Sequence, residues 1–211
     1  MVLSMPGVQR TDFDTRLLTA SLAVVQEHGL AGLTTARLAQ ALGGSRMTLH
    51  RHGITREEVI RRLAGLAAQE YQRSVWPALT GQGNAAHRLN RALEATCAVA
   101  ENYAKLLVGL YADDGGIFHE PTSDEPDANQ GALPTRRVFI EPLARILRDG
   151  ALDGTLTCEN PDETATVLFN QVGWTYLALR QGQGWSANRA RHSVVRLATR
   201  ALQTNPANRP D

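Results

Sequence analysis

Between Glu27 and Glu57 the chain carries no acidic residue. The same stretch holds Arg37, Arg46, Arg51 and Arg56, together with His28, His50 and His52. Cations gathered without counter-charges suit a polyanion, because each one that meets a phosphate releases a condensed counterion. The residue types also suit base reading. The Arg46 fork can donate two hydrogen bonds to one guanine edge, and Met47 offers an apolar surface for a thymine methyl. Thr48 suits a base or a phosphate. Thr35, Arg37, His50, His52 and Arg56 fit the backbone, where contacts position a protein rather than read sequence. Ser45 and Arg51 complete this nucleic-acid set. Charge alone decides little, since a solvated face accounts for it equally. Arginine supplies every basic residue of the chain but Lys105.

The elements that would position these residues are helices. Leu17, Leu18, Leu22, Val24 and Val25 recur at helical spacing in a segment that starts at Asp12 or Asp14 and ends at Gly29. Thr34 is a good N-cap for a short helix whose buried face is Leu38, Ala39 and Leu42, and Gly43-Gly44 stop it. Ser45 caps a second short helix, Arg46 to His52, which Gly53 ends. Thr55 and Glu58 have capping-box spacing and open a longer helix through Val59, Ile60, Leu63 and Leu66 toward Tyr71. Trp76-Pro77 is expected to close it. A short helix held by its apolar face, a tight glycine turn and a second short helix with an outward polar face make helix-turn-helix logic.

Leu38-Ala39, Gly43, Ser45, Leu49, His52, Glu57 and Ile60 are in register with a known pattern. Over about residues 12–60 the chain resembles the TetR family of bacterial transcriptional regulators. Three positions depart from the pattern. His50 stands for the usual tyrosine, Gly53 for a phenylalanine and Arg56 for a lysine. The resemblance implies an all-α chain with an N-terminal three-helix DNA-binding domain (1–54) and a C-terminal helical ligand-binding and dimerisation domain (55–211). Helix 55–75 connects them. It also implies a homodimer on a palindromic operator in double-stranded DNA, released when a small organic effector of unknown identity shifts the connecting helix.

The remaining sequence is also read as helical. Single helices are expected over 84–111, from about 134 to 148, over 161–180 and over 187–202. A polar, proline-containing loop spans 119–133. Cys97, Tyr103, Phe118, Phe169, Asn170 and Trp174 are the candidate effector-lining residues, and core packing accounts for any one of them equally well. Leu168, Val172, Gly173, Leu179, Val194, Val195, Ala198 and Leu202 are the candidate dimer residues. The segment Thr164–Leu179 is apolar nearly all around, which favours an interface contribution beside an ordinary core role.

Composition bounds the remaining classes. The chain has 211 residues, 43% hydrophobic, with a net charge of +1. The balance is uneven: residues 1–74 carry nine arginines and six acids, residues 75–211 thirteen basic and fifteen acidic residues. Cys97 and Cys158 suggest reduced thiols of a cytoplasmic protein rather than a disulfide framework or metal site. No signal peptide or membrane span is read. Zincin, nucleophile-elbow, Walker and dinucleotide motifs are absent, so no catalytic residue, metal or cofactor is assigned and an enzyme is not expected. The rival reading is a helical protein-interaction module with a degenerate DNA-binding head.

Overall fold

The computed structural model describes residues 6–112 and 136–204. The loop 119–133 and the tail from Asn205 lie outside them. The described residues form nine α-helices and no strand. The helices are α1 (Pro6–His28), α2 (Thr35–Ala41), α3 (Arg46–Arg51), α4 (Arg56–Thr80), α5 (Ala85–Asn102), α6 (Ala104–Ala112), α7 (Glu141–Asp153), α8 (Pro161–Leu177) and α9 (Ala187–Leu202). Single turns of tighter or wider helix span Leu30–Gly32, Arg136–Ile140 and Ala178–Gly182. One isolated bridge joins Leu156 to Gln203.

Two compact units share the chain. Among the described residues the first comprises 6–66 and 105–112, the second 67–104 and 136–204. The division falls inside α4, whose residues serve both.

In the first unit Leu17, Val24 and Val25 of α1 are buried with Leu30, Leu33, Leu38, Ala39 and Leu49. Val59, Ile60 and Leu63 of α4 and Leu106 and Leu110 of α6 complete this core. Arg62 ties α4 to α1 through Asp14 Oδ1 at 2.8 Å and also binds Glu58 Oε1 at 2.7 Å. Thr55 caps α4 as expected, accepting from Glu58 N–H at 3.1 Å. The capping box is only half made, because the Glu58 carboxylate receives Arg61 and Arg62 instead. A guanidinium is a stronger donor to a carboxylate than a backbone amide.

In the second unit α5 packs against α7, α8 and α9. Leu89, Leu93, Leu143, Ile146, Leu147 and Val172 are fully buried there. The start of α5 is bound from across the fold. Ala85 N–H donates to Asp153 Oδ2 at 2.8 Å, and Arg88 reaches Asp149 Oδ2 at 2.9 Å. Far along α5, Glu101 receives Arg180 in a two-bonded fork of 2.6 and 2.8 Å and Tyr176 Oη at 2.7 Å. Hydrogen bonding from Arg180 is the main reason the Glu101 carboxyl sits below its ordinary range.

Several expected boundaries move, and α1 begins at Pro6 rather than at Asp12 or Asp14. The helix expected over 84–111 is two helices, broken at Tyr103. Its apolar spacing runs unbroken because each half has a core to face: Leu93 and Val99 in the second unit, Leu106 and Leu110 in the first. Helix α4 continues through Pro77 to Thr80. Val75 and Ala78, on either side of the proline, are buried, and that packing outweighs the lost amide bond. Helix α7 continues past Arg148 to Asp153. Gly150 does not stop it. Gly154 does, in the left-handed conformation at φ 73°.

Candidate nucleic-acid interface

The reading segment is built by local rules. The Thr34 side chain accepts from Arg37 N–H at 3.3 Å and starts α2. At its end, Gly43 N–H donates to Gln40 O at 3.0 Å and Gly44 N–H to Ala39 O at 2.9 Å. With Gly43 at φ 66°, this is a Schellman motif, and it makes the turn between the two short helices. Ser45 caps α3, accepting from Thr48 N–H at 3.2 Å, and its hydroxyl pairs with Thr48 Oγ1 at 3.1 Å.

The far end of α3 repeats the device. Gly53 N–H donates to His50 O at 2.9 Å and Ile54 N–H to Leu49 O at 3.0 Å, with Gly53 at φ 66°. Leu49 and Ile54 are both buried, supplying the apolar contact that accompanies such a cap. Gly53 therefore has a conformational reason to be glycine, since left-handed backbone strains other residues. Leu49 is the one buried side chain of α3.

Around it the outward face is laid bare. Arg46, Met47, His50 and Arg51 are exposed, Met47 at 72%. Thr35 is exposed in the first turn of α2, and Ser45 and Thr48 are engaged with each other. Three other sequence candidates hold protein groups. Arg37 Nη1 donates to Gly32 O at 3.1 Å. Arg56 donates from Nε to Leu33 O at 3.2 Å and from Nη2 to Leu30 O at 3.3 Å, so its fork closes the loop before α2. His52 stacks on Phe13 of α1, with ring centroids 4.5 Å apart and planes 22° from parallel. Beside that stack is a cavity of about 270 Å³, lined in part by Arg16, Gly43, Ser45 and Thr48.

Phe13 and Arg16 are the two residues at this face that sequence reasoning passed over. In the sequence Phe13 stands only at the head of the α1 stripe, and no spacing rule links it to His52.

The other candidates lie in the second unit. Cys97 and Tyr103 are buried, Phe169 and Trp174 half-buried, and Asn170 exposed with Nδ2 donating to Thr166 O at 2.9 Å. Phe118 lies outside the described residues. Burial pushes the Cys97 thiol up to about 12. Phe169 belongs to an aromatic cluster, 5.1 Å from Phe139 and 5.6 Å from Tyr71 between centroids. Tyr71 Oη donates to Phe139 O at 3.2 Å. Of the dimer candidates, Leu168, Val172, Val194, Val195 and Ala198 are buried within their own chain, and Gly173, Leu179 and Leu202 are half-buried. On the same two helices Val167 and Leu197 are exposed, at 61% and 65%.

No family model matches the chain, and no curated protein matches it by sequence. Solved structures do match. PfmR, a TetR-family transcriptional regulator from Thermus thermophilus, superposes with a TM-score of 0.67 at 22% identity, over 88% of this chain and 97% of that one. The fold is that of the TetR regulators. This TetR fold extends to a putative transcriptional regulator from Saccharomonospora viridis in complex with choline, with a TM-score of 0.71 at 15% identity, over 92% of this chain and 100% of that one. It extends also to SmeT, the repressor of the Stenotrophomonas maltophilia multidrug efflux pump SmeDEF, with a TM-score of 0.63 at 17% identity, over 93% of each chain. Among the described residues no helix is long and apolar enough to cross a membrane.

Proposed function

We propose that the chain is a ligand-responsive transcriptional regulator. In this reading it is a repressor that grips a palindromic operator in double-stranded DNA as a homodimer and leaves when a small organic effector binds. The observation that carries the reading is the outward face of α3. A six-residue helix capped at both ends exposes Arg46, Met47, His50 and Arg51 together. Its first turn, with Arg46 and Met47, is the part that reaches base edges when such a helix enters the major groove, while later positions meet phosphates. The regulators that share the fold support the same reading.

Residues 1–54 are then the DNA-binding domain and 55–211 the effector and dimerisation domain, with α4 (Arg56–Thr80) joining them. Two copies paired through α8 and α9 would match the two-fold symmetry of a palindrome, whose half-sites lie about 34–36 Å apart. The aromatic cluster of Tyr71, Phe139 and Phe169 in the second unit is where a small organic effector would be sought. The choline complex of the Saccharomonospora viridis regulator is a precedent for a small organic ligand on this fold. Any effector must favour one arrangement of the chain over the other, since equal affinity for both shifts nothing.

The test is competition between genomic fragments and random DNA at physiological salt. A fragment that wins supports the reading. If none does, the helical protein-interaction module takes its place. On a winning fragment, Arg46→Ala should relax base preference at one position, costing about 1–3 kcal/mol there, whereas Arg51→Ala should weaken all sequences alike and lower the salt slope by about 1. Equal effects from both would overturn the assignment of roles.

A further inference from the structure

We propose that Phe13 is a positioning residue for DNA binding: its ring holds the His52 imidazole in place, so that α1 orients the phosphate-facing end of the reading helix. This rests on the DNA-binding reading above.

Beyond buried Leu49 and Ile54, little else holds that end of α3. The helix has six residues and one buried side chain, Leu49. Its last carbonyls are closed by Gly53 and Ile54, and Gly53 has no side chain to pack. A left-handed glycine directs the backbone but leaves lateral orientation to neighbouring side chains. His52, the residue before it, supplies one. Its ring lies on Phe13 at 4.5 Å, nearly parallel, in the geometry aromatic pairs favour. Phe13 is half-buried and sits on α1, where adjacent Asp14 pairs with Arg62 at 2.8 Å and Leu17, one turn on, is fully buried. The stack therefore joins the weakly held end of α3 to a firmly held part of α1.

Stacking uses a face of the imidazole. Both ring nitrogens lie on its edge, and His52 remains exposed. A ring fixed by its face still offers an edge N–H to a phosphate oxygen. Fixing it beforehand removes the side-chain ordering that binding would otherwise have to supply. The two roles are separable, because Phe13 need not touch DNA for its loss to weaken binding.

The experiment compares wild-type protein with Phe13→Leu, Phe13→Trp, His52→Ala and the Phe13→Leu/His52→Ala double variant. Leucine keeps apolar bulk at the position and tryptophan keeps an aromatic face. In the free protein, NMR of the His52 ring protons should show an upfield ring-current shift that disappears in Phe13→Leu and persists in Phe13→Trp. On the fragment that wins the competition, Phe13→Leu should weaken affinity by roughly three- to ten-fold, the size of one aromatic pair. Phe13→Trp should restore it, and the double variant should be no weaker than His52→Ala alone. His52 signals unmoved in Phe13→Leu would show that the stack does not exist in solution. Lost ring-current shifts with unchanged affinity would show that the stack positions nothing. A wild type that prefers no fragment overturns the DNA reading itself, and the NMR arm separates that outcome from failure of the stack.

Discussion

Leu156 occupies the space that a side chain on Gly150 would need. A Cβ on Gly150 would stand 2.6 Å from both Cβ and Cδ1 of Leu156, closer than real Cβ contacts come. Gly150 lies inside α7, where glycine costs stability, and Leu156 is buried directly beyond the end of that helix. The chain turns back on itself here: Thr155 and Leu156 N–H both donate to Gly150 O, at 3.0 and 3.1 Å. Gly150→Ala should therefore destabilise the protein by about 1–3 kcal/mol despite the better helix propensity of alanine. Thermal unfolding reads this directly, and an unchanged or raised Tm would show that the approach relaxes freely.

Gly53 predicts a different kind of cost. Apart from its chain neighbours, no heavy atom lies within 4 Å of the place a Cβ would take, so the penalty is backbone strain at φ 66°. Gly53→Ala should cost about 1–2 kcal/mol, and Gly53→Asn less, because asparagine tolerates left-handed backbone. Gly65, in α4, also has open space but no positive φ. Gly65→Ala should stabilise by about 0.5–1 kcal/mol. Denaturant midpoints for the three variants test the ordering, and equal effects at positions 53 and 65 would refute it.

Acid should loosen the second unit through Glu101. Its carboxyl is held below its ordinary value of 4.5, first by hydrogen bonding from Arg180 and then by Tyr176. A group whose pKa is lowered on folding contributes stability above its unfolded pKa and loses it as pH falls through the folded one. The contribution is thus whole at neutral pH and disappears progressively below about pH 4.5. Tyr176, pushed up to about 12 by burial and then by Glu101, keeps its proton as a donor throughout. Urea midpoints measured from pH 7 to pH 3 should fall, and Glu101→Gln should flatten that fall while lowering stability at pH 7.

The proposed pairing of copies through α8 and α9 makes its own demand. Val167 and Leu197 expose large apolar side chains on these helices, and Gly173 has open space where a Cβ would stand. Leu197→Glu should convert dimer to monomer in sedimentation velocity without lowering the helix content seen by circular dichroism. Gly173→Leu should do the same if backbones approach closely there. A dimer indifferent to both variants would move the interface elsewhere.

Much of the reading head was legible in the sequence because its rules are local. Thr34, Ser45 and Thr55 cap the helices they were expected to cap. Gly43 and Gly53 stop theirs with positive φ. Each of these interactions closes within a few residues, so the order of side chains along the chain suffices to specify it. Pro77 and Gly150 do not obey such local rules. There the local signal said stop, and burial of Val75, Ala78 and Leu156 decided otherwise.

The sequence by itself determined the helical grammar: where short helices begin, where glycine ends them, and that Arg46, Met47, His50 and Arg51 share one polar segment. Only the tertiary structure decided which groups are spent on the protein itself. It commits Arg56 to the carbonyls of Leu30 and Leu33 and Arg180 to Glu101, and it lays one face of the His52 ring on Phe13 while the residue stays exposed. The physical reason is range. Caps and helical hydrogen bonds join near neighbours in the chain, whereas a guanidinium or an aromatic face takes whatever partner folding brings beside it.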